Sequence, residues 1–170
     1  FMPTFSVSGG YNIATFDGTA DYLKSAPFSL NQPNSGYHTA SAVSWTSGDY
    51  VLDGGGTNGG AIIQTTGTPQ INLNAGSSVA GNTGWTLGVR AVLSAFFNGA
   101  SSALGVNTNT QTTGNAGAGT ANGVTIGARG AGDLNWGNIT WSQSLYRSVA
   151  DDSALSTRII RFFMRLGGIS

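Results

Sequence analysis

Cysteine and glutamate are both missing from this 170-residue chain, and histidine occurs once, at His38. Without thiols there is no disulfide framework and no thiolate metal site. A Ser-His-Asp nucleophile system would have to use the one histidine, and no Gly-x-Ser-x-Gly elbow accompanies it. Charge is also scarce. Charged residues make up 8% of the chain, seven basic against seven acidic, and the net charge is zero. That leaves no basic field for nucleic acid and no polybasic stretch for an anionic membrane. No apolar run approaches the ~20 residues that span a bilayer, and the start lacks a charged stretch leading into an apolar signal core. Phe1 in place of Met is expected of a chain processed, trimmed or cut from something longer.

What fills the chain instead is Gly, Ser, Thr and Asn, nearly half of all residues. These types favour turns, the solvent faces of strands and hydroxyl-rich contact surfaces. A neutral surface of this kind has little charge repulsion to keep molecules apart. The length suits one domain over residues 1–170, large enough to bury a core without metal or disulfide.

Short alternating segments recur along the chain and predict strands with one buried face each. They are Phe5 with Val7, Ile71 with Leu73, Leu104 with Val106, Val124 with Ile126, and Ile139 with Trp141. The cleanest runs from Trp85 to Leu93, with Trp85, Leu87, Val89, Ala91 and Leu93 on one face. Trp45, Trp85 and Trp141 lie in such segments and are expected in the core. Between the strands stand Asp17-Gly18, Asp53-Gly54-Gly55-Gly56, Asn58-Gly59-Gly60, Asn98-Gly99 and Asn122-Gly123, pairs that supply the positive φ of tight hairpins. The low-complexity stretch from Asn107 to Gly123 reads as a long surface loop or irregular hairpin. Near the end the period changes. Ser148 with Asp151 predicts an N-cap and capping-box acid, opening a helix over about 149–166. Its apolar stripe would be Leu155, Ile159, Phe162, Phe163 and Leu166, with Arg158, Arg161 and Arg165 on a solvated face and Gly167-Gly168 as the stop. The expected fold is all-β, an antiparallel jelly-roll sandwich with one C-terminal helix.

Four segments carry a resemblance. Phe16-Asp17-Gly18-Thr19-Ala20-Asp21-Tyr22-Leu23 looks like the opening hairpin of concanavalin A-like, laminin G-like domains. Ala95-Phe96-Phe97-Asn98-Gly99-Ala100-Ser101-Ser102 is similar to their central turn. Gly123 to Arg129 with Gly137-Asn138-Ile139 resembles the close of the sandwich, and Arg147 with the terminal helix the usual ending. Trp141 and Val149 depart from the pattern, where Glu and Leu are usual. The likeness is strongest to such domains in bacteriophage structural proteins.

The resemblance implies a non-catalytic module on a virion surface, such as a capsid decoration, head fibre or tail-fibre domain. Its expected partners are copies of itself, other virion proteins and host-surface glycans; the alternative is a secreted carbohydrate-binding module. Glycoside hydrolases of this fold carry paired Glu, because acid and nucleophile must flank the bond, and this chain has none. The seven Asp stand mostly beside Gly or at the helix start, where turn and cap roles suffice. Catalytic residues are therefore not expected. Nor is a cofactor. Laminin G-like domains often hold calcium through Asp and backbone oxygens, which would make Asp17, Asp21, Asp53 and Asp133 the ligands to test. The best binding signal is the Gly-rich loop holding Arg129, Asp133, Asn135 and Trp136. An aromatic face can stack on a sugar there, while charged and amide groups bond its hydroxyls. Trp136 plugging the end of the sandwich is the competing role.

Overall fold

A computed structural model describes residues 2–56, 58–65 and 70–170. The strands are β1 (Thr4–Ser8), β2 (Tyr11–Thr15), β3 (Leu23–Lys24), β4 (Ser29–Leu30) and β5 (Asn34–Ala42). There follow β6 (Tyr50–Asp53), β7 (Ala61–Gln64), β8 (Ile71–Asn74), β9 (Ser78–Asn82) and β10 (Ala91–Phe97). The last are β11 (Ser102–Val106), β12 (Thr112–Gly114), β13 (Ala121–Asn122), β14 (Thr125–Ile126) and β15 (Ile139–Arg147), and helix α1 spans Ser153–Leu166.

Among the described residues the strands form a seven-stranded sheet, β1-β2-β15-β5-β10-β11-β12, and a six-stranded sheet, β3-β14-β6-β7-β8-β9. A small β13-β4 pair stands beside them, and every strand pairing is antiparallel. The chain is an all-β jelly-roll sandwich with one C-terminal helix. The seven-stranded sheet is buried on both faces at its centre, along β5, β10 and β11. Ala40, Ala42, Leu93, Leu104 and Trp141 meet Leu52, Ile62, Ile71 and Leu73 of the other sheet. Tyr37, Val92, Phe96 and Ala103 form the opposite face, under Ile160 and Phe163 of α1. Central strand β5 is buried along its whole length. The small Ala40 and Ala42 stand beside the large Trp141 and Ile139 of β15. Apolar burial on this scale, roughly 25 cal/mol per Å², is the main force holding the layers together.

Several sequence expectations are corrected here. Phe5 and Val7 do alternate on a strand, but β1 is the outer edge of its sheet and both are exposed, at 61% and 69%. No layer covers them. The stretch from Trp85 to Leu93 is not one strand: Trp85 is buried, but Gly88 turns the chain at φ +73 and β10 starts only at Ala91. Leu87 and Val89 therefore face solvent. Asp17-Gly18 is no hairpin, because β2 and β3 belong to different sheets. Its carboxylate accepts N–H bonds from Thr19, Ala20 and Asp21 and rounds the corner between them. The stretch from Asn107 to Gly123 contributes strands β12 and β13, and Ala116 is fully buried. The Ala116 carbonyl accepts from Ala75 and Ser77 N–H, sewing one sandwich edge shut.

The helix starts later than its apparent capping box. Asp152 is the N-cap, its carboxylate accepting from Leu155 N–H at 2.8 Å. Asp151 is drawn away by Arg147 Nε and by the Tyr37 hydroxyl, and Ser35 Oγ receives the Asp151 N–H. Ser148 is left exposed, before the first turn. The buried face is Ser156, Ile160 and Phe163, whereas Phe162 and Leu166 of the expected stripe point outward.

Candidate ligand-binding cleft

The outer face of the six-stranded sheet carries a row of residues set by strand register. Lys24 pairs with Thr125, Thr125 with Asp53, Asp53 with Ala61, and Ala61 with Asn74. Cross-strand partners share a face, so five sequence-distant positions are brought side by side. Over this row lies a cleft of about 450 Å³, bordered also by Tyr50, Asn58, Gly59, Arg129 and Gly130. It opens on the side of the sandwich away from α1.

Asp53 organises the cleft. One carboxylate oxygen accepts from Gly55 N–H at 3.1 Å and the other from Gly130 N–H at 2.7 Å. It thus fastens the β6–β7 loop to the loop after β14. Burial pushes its acid strength down, raising its pKa above the usual carboxylate value;. Thr125 adds a second tie, its hydroxyl donating to the Gly130 carbonyl. Within the β6–β7 loop, Gly54 and Gly59 pass so close that a Cβ on either would strike the other segment's backbone. Only glycine fits there.

The loop from Arg129 to Trp136 divides its roles. Arg129 lines the cleft and makes a two-pronged bond to Asp133, with Nη2 to Oδ2 at 2.7 Å and Nε to Oδ1 at 3.2 Å. Both side chains are about half exposed, at 42% and 50%. The guanidinium holds the Asp133 carboxyl below its ordinary pKa. Asn135 takes a left-handed φ of 57° and its carbonyl receives the Tyr50 N–H at 2.9 Å. Trp136 bridges to Tyr50, half-buried, with its indole N–H enclosed. Arg129 thus reaches the cleft and holds Asp133, while Asn135 and Trp136 brace the strand that floors it. The other cleft residues, Lys24, Tyr50, Asn58 and Asn74, were not singled out by sequence reasoning. Register alone assembles Lys24 and Asn74, and no local motif marks it.

Three of the four carboxylates considered for calcium, all but Asp21, are engaged by protein donors. Asp17 is bound by its own turn, which holds it well below the usual carboxylate range; Asp53 is shared between Gly55 and Gly130; Asp133 is paired with Arg129. Among the described residues no cluster of three His or Asp side chains forms a metal site. His38 lies on the inner face of β5 between Trp141 and Tyr146, each ring centroid 5.0 Å away, with Nδ1 3.2 Å from Ser144 Oγ. It is wholly buried, and desolvation lowers its pKa to about 3. It does not border the cleft.

A second groove of about 520 Å³ runs between α1 and strands β11 and β12. Its floor of Phe96, Ala103 and Ile160 is the packing surface of the helix. The first cleft is the better-built site, since its polar groups are fixed by register and by Asp53.

No known family model matches the sequence, and no curated protein does. Solved structures do match. A native heptameric SAP-like pentraxin from Limulus polyphemus superposes with TM-score 0.64 and 13% identity, over 87% of this chain and 80% of that one. Domain 4 of AbnA, a GH43 extracellular arabinanase from Geobacillus stearothermophilus, in complex with arabinotriose, gives TM-score 0.66 and 11% identity, over 94% and 82%. The LG1-3 region of the laminin alpha2 chain gives 0.55 and 12%; the match takes in 88% of this chain but 29% of that longer one. Sialidase and alginate lyase chains are also among the matches. At such identities the likeness concerns the fold alone, a jelly-roll β-sandwich;.

Proposed function

We propose that this chain is a non-catalytic surface module that binds glycans in the cleft over Asp53. The observation that carries the reading is the register row, which sets Lys24 and Asn74, with Arg129 from the loop after β14, around a preformed, glycine-walled hollow. Hydroxylated ligands suit a site of this size lined by a few fixed polar groups. The arabinotriose bound to the arabinanase domain lends support by analogy of fold;. Against hydrolysis stands the carboxylate count. Glycosidases need two carboxyls flanking the bond, whereas the cleft is bordered by Asp53 alone, spent on two backbone donors. The one histidine is sealed in the core. No cofactor enters this reading.

Within it, the setting is a bacteriophage virion surface, where the module decorates a capsid or fibre and meets copies of itself and neighbouring proteins. The motif resemblance and the scarcity of charge, 8% of the chain with a net of zero, support that placement. A secreted carbohydrate-binding module is the alternative, and would be a lone monomer.

A glycan array with wild-type protein, Asn74→Ala and Arg129→Ala tests the site. The wild type is expected to give a signal that both variants lose. Arg129→Ala should shift the melting temperature little, since an exposed ion pair contributes about 0–1 kcal/mol, and Asn74→Ala should cost about 1 kcal/mol through its turn bonds from Gly76 N–H and to Ser78 Oγ;. Chelator should change neither binding nor melting, and a polysaccharide panel should stay uncut. A signal indifferent to both substitutions, or none at millimolar glycan, refutes the cleft assignment. Recovery of the protein with purified phage particles would favour the virion setting over the secreted one.

A further inference from the structure

We infer that strand β1 is a self-complementary docking edge, on which a second copy of this chain pairs its own β1 antiparallel to join two seven-stranded sheets into one. The inference deepens the assembly part of the proposed function and rests on it; it is independent of glycan binding.

The β1–β2 hairpin turns through Gly9 and Gly10, at φ +60 and +83, with Ser8 opposite Tyr11. In a two-residue hairpin the flanking pair exchanges both backbone bonds. Counting back in alternation, Ser8, Ser6 and Thr4 turn their backbone groups toward β2, and Phe5 and Val7 turn theirs outward. The outer edge of the sheet therefore offers the N–H and C=O of Phe5 and Val7. Soluble proteins commonly guard such an edge with Lys, inward charges, Pro or a bulge. From residue 2 to 15 there is no charged residue, the one proline, Pro3, precedes β1 rather than interrupting it, and the register of β1 on β2 is unbroken.

The pattern of β1 is two-fold symmetric. With Ser6 facing the partner copy's equivalent residue across the axis, Phe5 lies opposite that copy's Val7, and Val7 opposite its Phe5. The outward backbone groups then meet as two hydrogen-bonded pairs, four bonds in all, and two aromatic–β-branched side-chain pairs form on one face. A shift of one residue would bring outward-facing groups against inward-facing ones, and among the registers two residues apart only the one centred on Ser6 pairs Phe5 with Val7 twice. Phe5 and Val7 are 61% and 69% exposed, leaving their apolar surface for the mate to cover. The closed, isologous geometry yields a dimer rather than a fibre. Its size is at the low end for protein interfaces, so association should depend on concentration.

Two variants read this out. Ser6→Cys would give a chain that otherwise lacks cysteine a single thiol, lying on the axis. There the two Cβ atoms of a non-hydrogen-bonded pair come within about 4.5–5.5 Å, close to disulfide reach. Mild oxidation is expected to cross-link it to a dimer far faster than Asn12→Cys, on the neighbouring strand. Val7→Lys should weaken wild-type dimerisation at least tenfold in sedimentation equilibrium with an unchanged circular dichroism spectrum, since β1 lies outside the core. A dimer that forms in Val7→Lys as in wild type, with no preferential Ser6→Cys cross-link, overturns the edge while leaving assembly through another face intact. A wild-type chain monomeric at high concentration overturns both.

Discussion

The hydroxyl of Tyr37 donates to the carboxylate of Asp151 at 2.8 Å, joining the centre of the seven-stranded sheet to the segment leading into α1. Arg147 Nε donates to the other oxygen of the same carboxylate at 2.8 Å. The sheet, the last strand and the approach to the helix thus converge on one nearly inaccessible acid, and burial pushes the Tyr37 phenol well above its ordinary pKa.

Tyr37→Phe keeps the ring against Phe96 and Phe163 but removes that bond. Bonds to charged groups contribute about 1.5–3 kcal/mol. A loss of that order in urea denaturation is expected, with the slope unchanged. A loss under a few tenths would mean Arg147 alone satisfies Asp151.

The two candidate caps of the helix make opposite claims. Asp152→Ala should cost about 1 kcal/mol, since it frees the Leu155 N–H;. Ser148→Ala should be close to neutral. The reverse order would place the cap at Ser148 instead.

Stability should fall in acid through His38. Unfolded, the imidazole takes a proton near pH 6.5; folded, only near 3, because burial disfavours the charged ring;. Between those values the unfolded chain binds the extra proton, so stability rises with pH, by up to about 1.4 kcal/mol per unit. The contribution is complete above about 6.5 and drains away as pH falls toward 3. Asp53, its pKa raised by burial, works in the opposite direction at the acid end. Urea titrations from pH 4 to 7.5 should show the slope in wild type and a much flatter one in His38→Gln. Equal slopes would locate the acid sensitivity elsewhere.

Where alternation coincided with two covering layers, the sequence was readable: Ile71 with Leu73, and Ile139 with Trp141, are buried as their spacing implies. Phe5 and Val7 have the same spacing and are exposed, because alternation reports a strand and not whether anything lies above it. Leu87 and Val89 fail for another reason, since Gly88 breaks the strand between them. The helix start was misread because Ser148 with Asp151 has capping-box spacing, and the groups that hold Asp151 elsewhere include Tyr37 and Ser35, 114 and 116 residues away. At the cleft, the Gly-rich loop pointed to Arg129 and Asp133. Lys24 and Asn74 come together solely through pairings across β3, β14, β6, β7 and β8.

The close passage of Gly54 and Gly59 has a consequence for how such a module evolves. Its walls are held by residues with no side chain to vary, whereas Lys24 and Arg129 stand at its rim, Arg129 bonded to the half-exposed Asp133. Descendants can therefore exchange those side chains, and with them the ligand, while inheriting the same hollow. Substitution at either glycine would instead reshape the hollow at once, so lineages that diverge in what they recognise should still agree at these two positions.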